Sequence, residues 1–180
     1  VMGTHGYGRV TGWMMGSVGY PLLPHLPIPA ILVPKEATVT SAPKRIMIAV
    51  DGSEYAKAAA IAAIELGKKT GAEFLLFTAV GYSQPYAIAL HQTLHEGMVK
   101  KGEEIVAGYE DLLKSHGVAY TKRVAIGDPS ICIKEVAEES GCDLIAMGYH
   151  GANNVSDFLL GSVVYKVIHR TTTPLLIVKS

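Results

Sequence analysis

The chain has 180 residues, 49% of them hydrophobic and 18% charged, and its 16 Lys and Arg balance 16 Asp and Glu. That length accommodates one core of about 130–150 residues plus an appendage. Zero net charge without a Lys/Arg run argues against a nucleic-acid surface, which needs clustered positive charge to neutralise phosphates.

Val1 is followed at once by a glycine-rich stretch, with neither an initiator Met nor a signal peptide, so the chain reads as starting inside a longer protein. From Trp13 to Val33 there is no Asp, Glu, Lys or Arg, as in a membrane span. Pro21, Pro24, Pro27 and Pro29 interrupt it, and each removes a backbone donor, which rules out a straight spanning helix. No membrane partner is expected. Residues 35–43, polar and bounded by Pro34 and Pro43, read as an interdomain linker.

A complete unit follows over 44–180. Residues 45–50 are a short apolar run, a buried strand. Ser53 caps a helix through Lys69, with Ala58, Ile61, Ala62 and Leu66 at helical spacing. Residues 73–80 form a second strand. Leu90, Leu94, Met98, Ile105, Tyr109 and Leu112 line one face of a long amphipathic helix ending near Gly117. Residues 119–126 form a third strand and 129–140 a third helix, with Pro129 suited to its first turn. A fourth strand (143–147), a fourth helix (162–170) and a fifth strand (174–178) complete the unit. Strands alternating with helices imply an α/β fold: a doubly wound, five-stranded parallel sheet covered on both faces. Ligands of such sheets bind beyond the carboxyl ends of the strands, where the winding reverses. The turns after the first and fourth strands, Asp51-Gly52-Ser53 and Gly148 onward, would then face one crevice.

Residues 1–34 repeat residues 146–179 at a constant offset of 145, without a gap and with eleven identities. They read as the C-terminal fragment of a first copy of the same domain. The identities include Gly3/Gly148, His5/His150, Gly6/Gly151, Gly16/Gly161 and Ser17/Ser162. The spacing Gly148-x2-Gly151-x9-Gly161-Ser162 suits phosphate binding. Glycines admit a ligand to the backbone, and Gly161-Ser162 opens a helix whose free N–H groups and dipole face outward. The plainer alternative is a strand end, a turn and a helix cap. Coincidental turns need not keep a nine-residue interval in both copies.

That spacing resembles the nucleotide-binding signature of universal stress proteins. The likeness extends over 44–180, through IMIAVDGSEYAKAA, GDPSICIKEVAEESGCDLIAMG and SDFLLGSVVYKVIHRTTTPLLIVKS. The resemblance implies a sheet of strand order 3-2-1-4-5, of the adenine nucleotide alpha hydrolase-like type. It implies ATP, ADP or AMP as ligand, with Mg²⁺ or Mn²⁺ carried by the phosphates. Asp51, with Gly52 in the same turn, would contact the adenosine part, the backbone of Ala79 the adenine, and Gly148 the ribose. Gly151, Gly161, Ser162 and Val163 would hold phosphates. For Asp51 the plain alternative is a turn or capping role. His150 reads equally as a phosphate contact or an exposed loop residue. His91, His95 and His116 read as solvated, and Tyr82, Pro85 and Tyr86 as the start of a covering loop. Ala152, Asn153 and Asn154 stand where the family often has Gly or a basic residue, so few cations would meet the phosphates. Pro21 and Pro24 should bend the first copy's helix, and that copy lacks a first strand, so one complete site is expected.

The resulting expectation is a cytoplasmic, regulatory, adenine-nucleotide-binding stress-response module with at most slow hydrolysis. The alternatives are a weak ATPase and a non-binding dimerisation module. No lysine-bearing phosphate loop and no paired acids for metals favour an enzyme. Cys132 and Cys142 form no metal-ligand pattern and read as small hydrophobes in a reducing compartment. The apolar fifth strand, at the chain end, is an edge open to pairing, either with its twin in a homodimer or with residues 29–33 of the same chain.

Overall fold

A computed structural model describes residues 1–3, 23, 28–37, 39, 41–81, 92–152 and 160–179. Gly6, Gly16, Ser17 and His5 of the first glycine motif lie outside the described residues, as do Pro21, Pro24, Tyr82, Pro85, Tyr86, Leu90, His91, Asn153 and Asn154. In chain order the strands are β1 (Met2–Gly3), β2 (Ala30–Val33), β3 (Arg45–Ala49), β4 (Glu73–Val80), β5 (Tyr120–Ile126), β6 (Leu144–Gly148) and β7 (Leu175–Val178). The helices are α1 (Glu54–Thr70), α2 (Gln92–Ser115), α3 (Pro129–Glu139) and α4 (Ser162–Arg170). Among the described residues no helix is long and apolar enough to cross a membrane.

The sheet has seven strands in the order β1-β2-β7-β6-β3-β4-β5. The five strands of the complete unit, β3 to β7, pair in parallel as expected, and β2 and β1 extend the β7 edge. Alternate side chains of each central strand feed opposite cores. Met47, Leu75, Phe77, Ile145 and Ile177 pack beneath α3 and α4. Ile46, Ile48, Phe74, Leu76 and Ala146 pack beneath α1 and α2. Burying one such Ile or Leu fully stabilises the fold by about 1.5–3 kcal/mol.

Ser53 caps α1 as expected, its hydroxyl accepting the Ala56 N–H at 3.1 Å, and Gly71 closes it with a left-handed φ of 70°. The face of α1 that meets the sheet is shifted from the one expected, with Ala58, Ala62 and Leu66 packed only at its margin. Ala56, Ala59, Ala60, Ala63, Ile64 and Gly67 are buried, whereas Ile61 is 41% exposed. The reason is close packing: a Cβ at Gly67 would fall 2.2 Å from the Phe74 ring, so the smallest residues, not the largest, lie where the helix touches the sheet.

β2 and β7 run antiparallel, with Ala30, Ile31 and Leu32 opposite Ile177, Leu176 and Leu175. This pairing is self-complementary under the 145-residue offset. Ile31 corresponds to Leu176 and faces it, while Ala30 and Leu32 correspond to Leu175 and Ile177 and face Ile177 and Leu175. The parallel β1/β2 register, Met2↔Leu32 and Gly3↔Val33, likewise maps onto Met147↔Ile177 and Gly148↔Val178 of β6/β7. Leu23 is buried in the α3/α4 core, as is its counterpart Ile168.

Candidate functional site

The carboxyl ends of β3, β4 and β6 open into a cleft of about 850 Å³. Its lining includes Asp51, Ala79, Gly148, His150, Gly151, Gly161, Ser162 and Val163, so eight of the nine residues singled out in the sequence converge there. Gly52 does not line it. That residue holds φ +86° in the turn after β3, which is a backbone requirement and not a wall of the cleft.

Asp51 lies at the end of β3, and its carboxylate spans two turns. Oδ1 accepts the Ser53 N–H at 3.0 Å and the Ser53 hydroxyl at 2.6 Å, while Oδ2 accepts the Ala152 N–H at 2.9 Å. Beneath the turn, the Tyr109 hydroxyl donates to the Ser53 carbonyl at 3.3 Å. Burial, reinforced by the Asp51 charge, pushes the Tyr109 pKa up to about 12, so this donor keeps its proton.

The glycines have different duties. A Cβ at Gly148 would fall 2.6 Å from the Tyr55 carbonyl carbon and 2.9 Å from the Ala56 nitrogen, so β6 presses on the first turn of α1. A Cβ at Gly151 would meet Asp51 Oδ2 at 2.7 Å. Gly161 is the N-cap of α4 and, having no side chain, makes no capping bond; its own N–H donates to the Tyr149 carbonyl at 3.1 Å. The expectation of a free Gly161 amide is thus corrected. The uncapped first-turn amides belong to Ser162, Val163 and Val164, all lining the cleft. By contrast, Ser53 caps α1 and Asp128 caps α3 through their side chains.

His150 is buried, 3% exposed, edge-on to the rings of Tyr149 and Tyr55 with centroids at 4.5 and 5.1 Å. The exposed-loop alternative is therefore overturned. Tyr149 is its chain neighbour, but the Tyr55 ring comes from the distant start of α1 and left no local signal. His95 is exposed, and the His116 Nδ1 lies 2.8 Å from the Leu112 carbonyl, at the end of α2. Cys142 is buried, its thiol pushed up to about 11 chiefly by that burial, and Cys132 is half-buried. Both are free thiols.

Sequence reasoning missed Lys101 of α2, which lines the cleft beside Ile105, Val80 and Gly81. Lys101 is exposed and makes no ion pair among the described residues. The available signal was the neighbouring Gly102. A Cβ there would fall 2.3 Å from Val124, so α2 approaches the sheet closely where Lys101 projects. Thr78, whose hydroxyl donates to the Val50 carbonyl at 2.7 Å, and Ile133 also line the cleft unannounced.

Residues 43–179 match the universal stress protein family. The chain belongs to that family. A putative universal stress protein of Staphylococcus haemolyticus is 30% identical over 143 residues, spanning 76% of this chain and 85% of its own. Among solved structures, a universal stress protein in complex with cAMP is 27% identical, with a TM-score of 0.60 over 77% of this chain and 98% of its own. A putative universal stress protein from Pseudomonas aeruginosa has the same fold over 99% of this chain and 62% of its own, with a TM-score of 0.68 at 14% identity.

Proposed function

We propose that this universal stress protein domain binds an adenine nucleotide in the cleft at the carboxyl ends of β3, β4 and β6, as a cytoplasmic regulatory module of the stress response. The observation that carries the reading is the start of α4. Ser162, Val163 and Val164 offer first-turn amides with no capping side chain, at the positive end of a helix dipole, beside the Ser162 hydroxyl. Phosphate is the group such an arrangement suits. Ala79 and Val50, at the ends of β4 and β3, give an apolar wall for the base. The solved relative in complex with cAMP supports the nucleotide class. Among the described residues no group of three or more His, Cys, Asp or Glu could hold a metal, so a Mg²⁺ or Mn²⁺ ion would arrive with the phosphates.

Binding is favoured over turnover because Asp51, the one carboxylate in the cleft lining among the described residues, already accepts three hydrogen bonds. We also propose that residues 1–34 are the C-terminal part of a first such domain, joined by the linker 35–43, with β2 and β7 forming a pseudo-two-fold junction. Support comes from the matched registers of β1/β2 and β6/β7.

The test is to denature purified protein and identify any released nucleotide by chromatography, then repeat with Gly161→Asp. The substitution places a carboxylate at the start of α4. Loss of nucleotide is expected; undiminished nucleotide content would refute the site.

A further inference from the structure

Asp51 stands on the far side of the cleft from α4, yet the two are joined by a short relay of hydrogen bonds. Its Oδ2 holds the Ala152 N–H at 2.9 Å, in the connection that follows β6. Within that loop the Tyr149 N–H donates to the Val178 carbonyl at 2.7 Å, and the Tyr149 carbonyl accepts the Gly161 N–H at 3.1 Å. Gly161 is the N-cap of α4. The segment 149–152 is therefore tied at both ends, to the carboxylate at Ala152 and to the helix start at Tyr149. The fit at the carboxylate is tight, since a Cβ on Gly151 would fall 2.7 Å from Oδ2. The other oxygen is fixed in turn by the Ser53 amide and hydroxyl, so the carboxylate cannot swing away without losing three bonds.

From this geometry we propose that Asp51 is a positioning residue: it fastens the loop 149–152 and thereby sets the first-turn amides of α4 for the phosphate chain, instead of acting chiefly as a contact to the adenosine part. The inference rests on the nucleotide reading of the cleft. A charged acceptor makes a stronger bond to a backbone amide than a neutral one. Removing it leaves the Ala152 N–H to water and the loop held at one end only. It follows that Gly151 is a glycine because of Asp51.

The two roles differ across a ligand series. A direct adenosine contact is present for adenosine, AMP and ATP alike, so its loss weakens all three by the same factor. A fastened phosphate loop matters more with each phosphate. The experiment measures affinities of the whole chain for adenosine, AMP and ATP by calorimetry, with Asp51→Asn and Asp51→Ala, together with exchange of the Ala152 amide in ligand-free protein by NMR. In Asp51→Ala, Ala152 should exchange at least about tenfold faster, and ATP affinity should fall by about tenfold or more while adenosine changes by less than about twofold. Asp51→Asn, nearly the same size with one acceptor oxygen in place of two, should show the same ordering at smaller amplitude. It decides the matter if the alanine variant does not fold. A third measurement closes the cycle: Gly151→Ala should cost less stability on the Asp51→Ala background than alone. Equal losses for the three ligands, or an Ala152 amide indifferent to residue 51, would overturn the proposal. If the unaltered chain bound none of the three, the nucleotide reading would fall, while the exchange of Ala152 would still decide whether Asp51 fastens the loop.

Discussion

Gly148 and Tyr55 touch backbone to backbone: a Cβ added at 148 would lie 2.6 Å from the Tyr55 carbonyl carbon. The first glycine of the motif is thus required by the packing of β6 on α1, before any ligand arrives. Main chain in the first turn of a capped helix cannot yield as a flexible side chain would. Gly148→Ala should destabilise the fold by about 1–3 kcal/mol, lowering the melting temperature by several degrees whether or not nucleotide is present. At Gly161 the nearest atom to a Cβ is 3.2 Å away, so Gly161→Ala should cost less in the same thermal melts.

Lys101 places a positive charge in the lining of the cleft. It is exposed, and exposed charge pairs are worth about 0.2–1 kcal/mol. Lys101→Met should therefore weaken ATP binding by no more than about fivefold at low ionic strength. The difference should shrink as salt is added, because screening falls on the charge and not on the amides of α4. Titrations at two salt concentrations check both statements.

Among the described residues, two carboxylates are held well below their ordinary range. The Ser130 hydroxyl, then the Ser130 amide and Lys166, hold Asp128 down to about 2 despite some opposing burial. Hydrogen bonds from Lys122, Tyr120 and Lys114 hold Glu110 down to about 2. Both folded-state values lie below the ordinary range near 4. Their stabilisation is therefore complete above about pH 4–5 and is lost as pH falls toward 2. Asp128→Asn should melt below the unaltered chain at pH 7, and the two should converge near pH 2. Equal melting temperatures at pH 7 would mean the clasp of Asp128 to Lys166 at 3.4 Å and Arg170 at 3.6 Å contributes nothing.

The strand β2 covers the edge of β7. Deleting residues 1–40 would bare the backbone donors and acceptors of Leu175–Val178, an apolar segment suited to pairing with another copy. Light scattering should then report a larger species. A truncated chain with unchanged mass would count against the edge-protecting role of β2.

The alternation of strands and helices was legible because β3, β4 and β6 are mostly apolar runs, and because Ser53, Pro129 and Gly71 punctuate the helices by local chemistry. The cleft was legible through the spacing of Gly148, Gly151 and Gly161. What escaped was contact between distant parts of the chain. Nothing near Gly148 or His150 announces Tyr55, which packs against both. The face of α1 was misread because a run of alanines has no clear hydrophobic stripe, and only Phe74 shows why Gly67 points inward. Lys101 was missed because a lysine on an amphipathic helix defaults to solvent.

Ile31 and Leu176 hold equivalent places in the repeat and are also one another's sheet neighbours. In a join between two identical halves, any substitution at that place would strike the same spot twice, doubling its effect. Once the halves diverge, each side drifts alone and can be tuned to its neighbour. The difference between isoleucine and leucine at the centre of this strand pair makes its two sides unequal, so a change to either one falls on one side of the join alone.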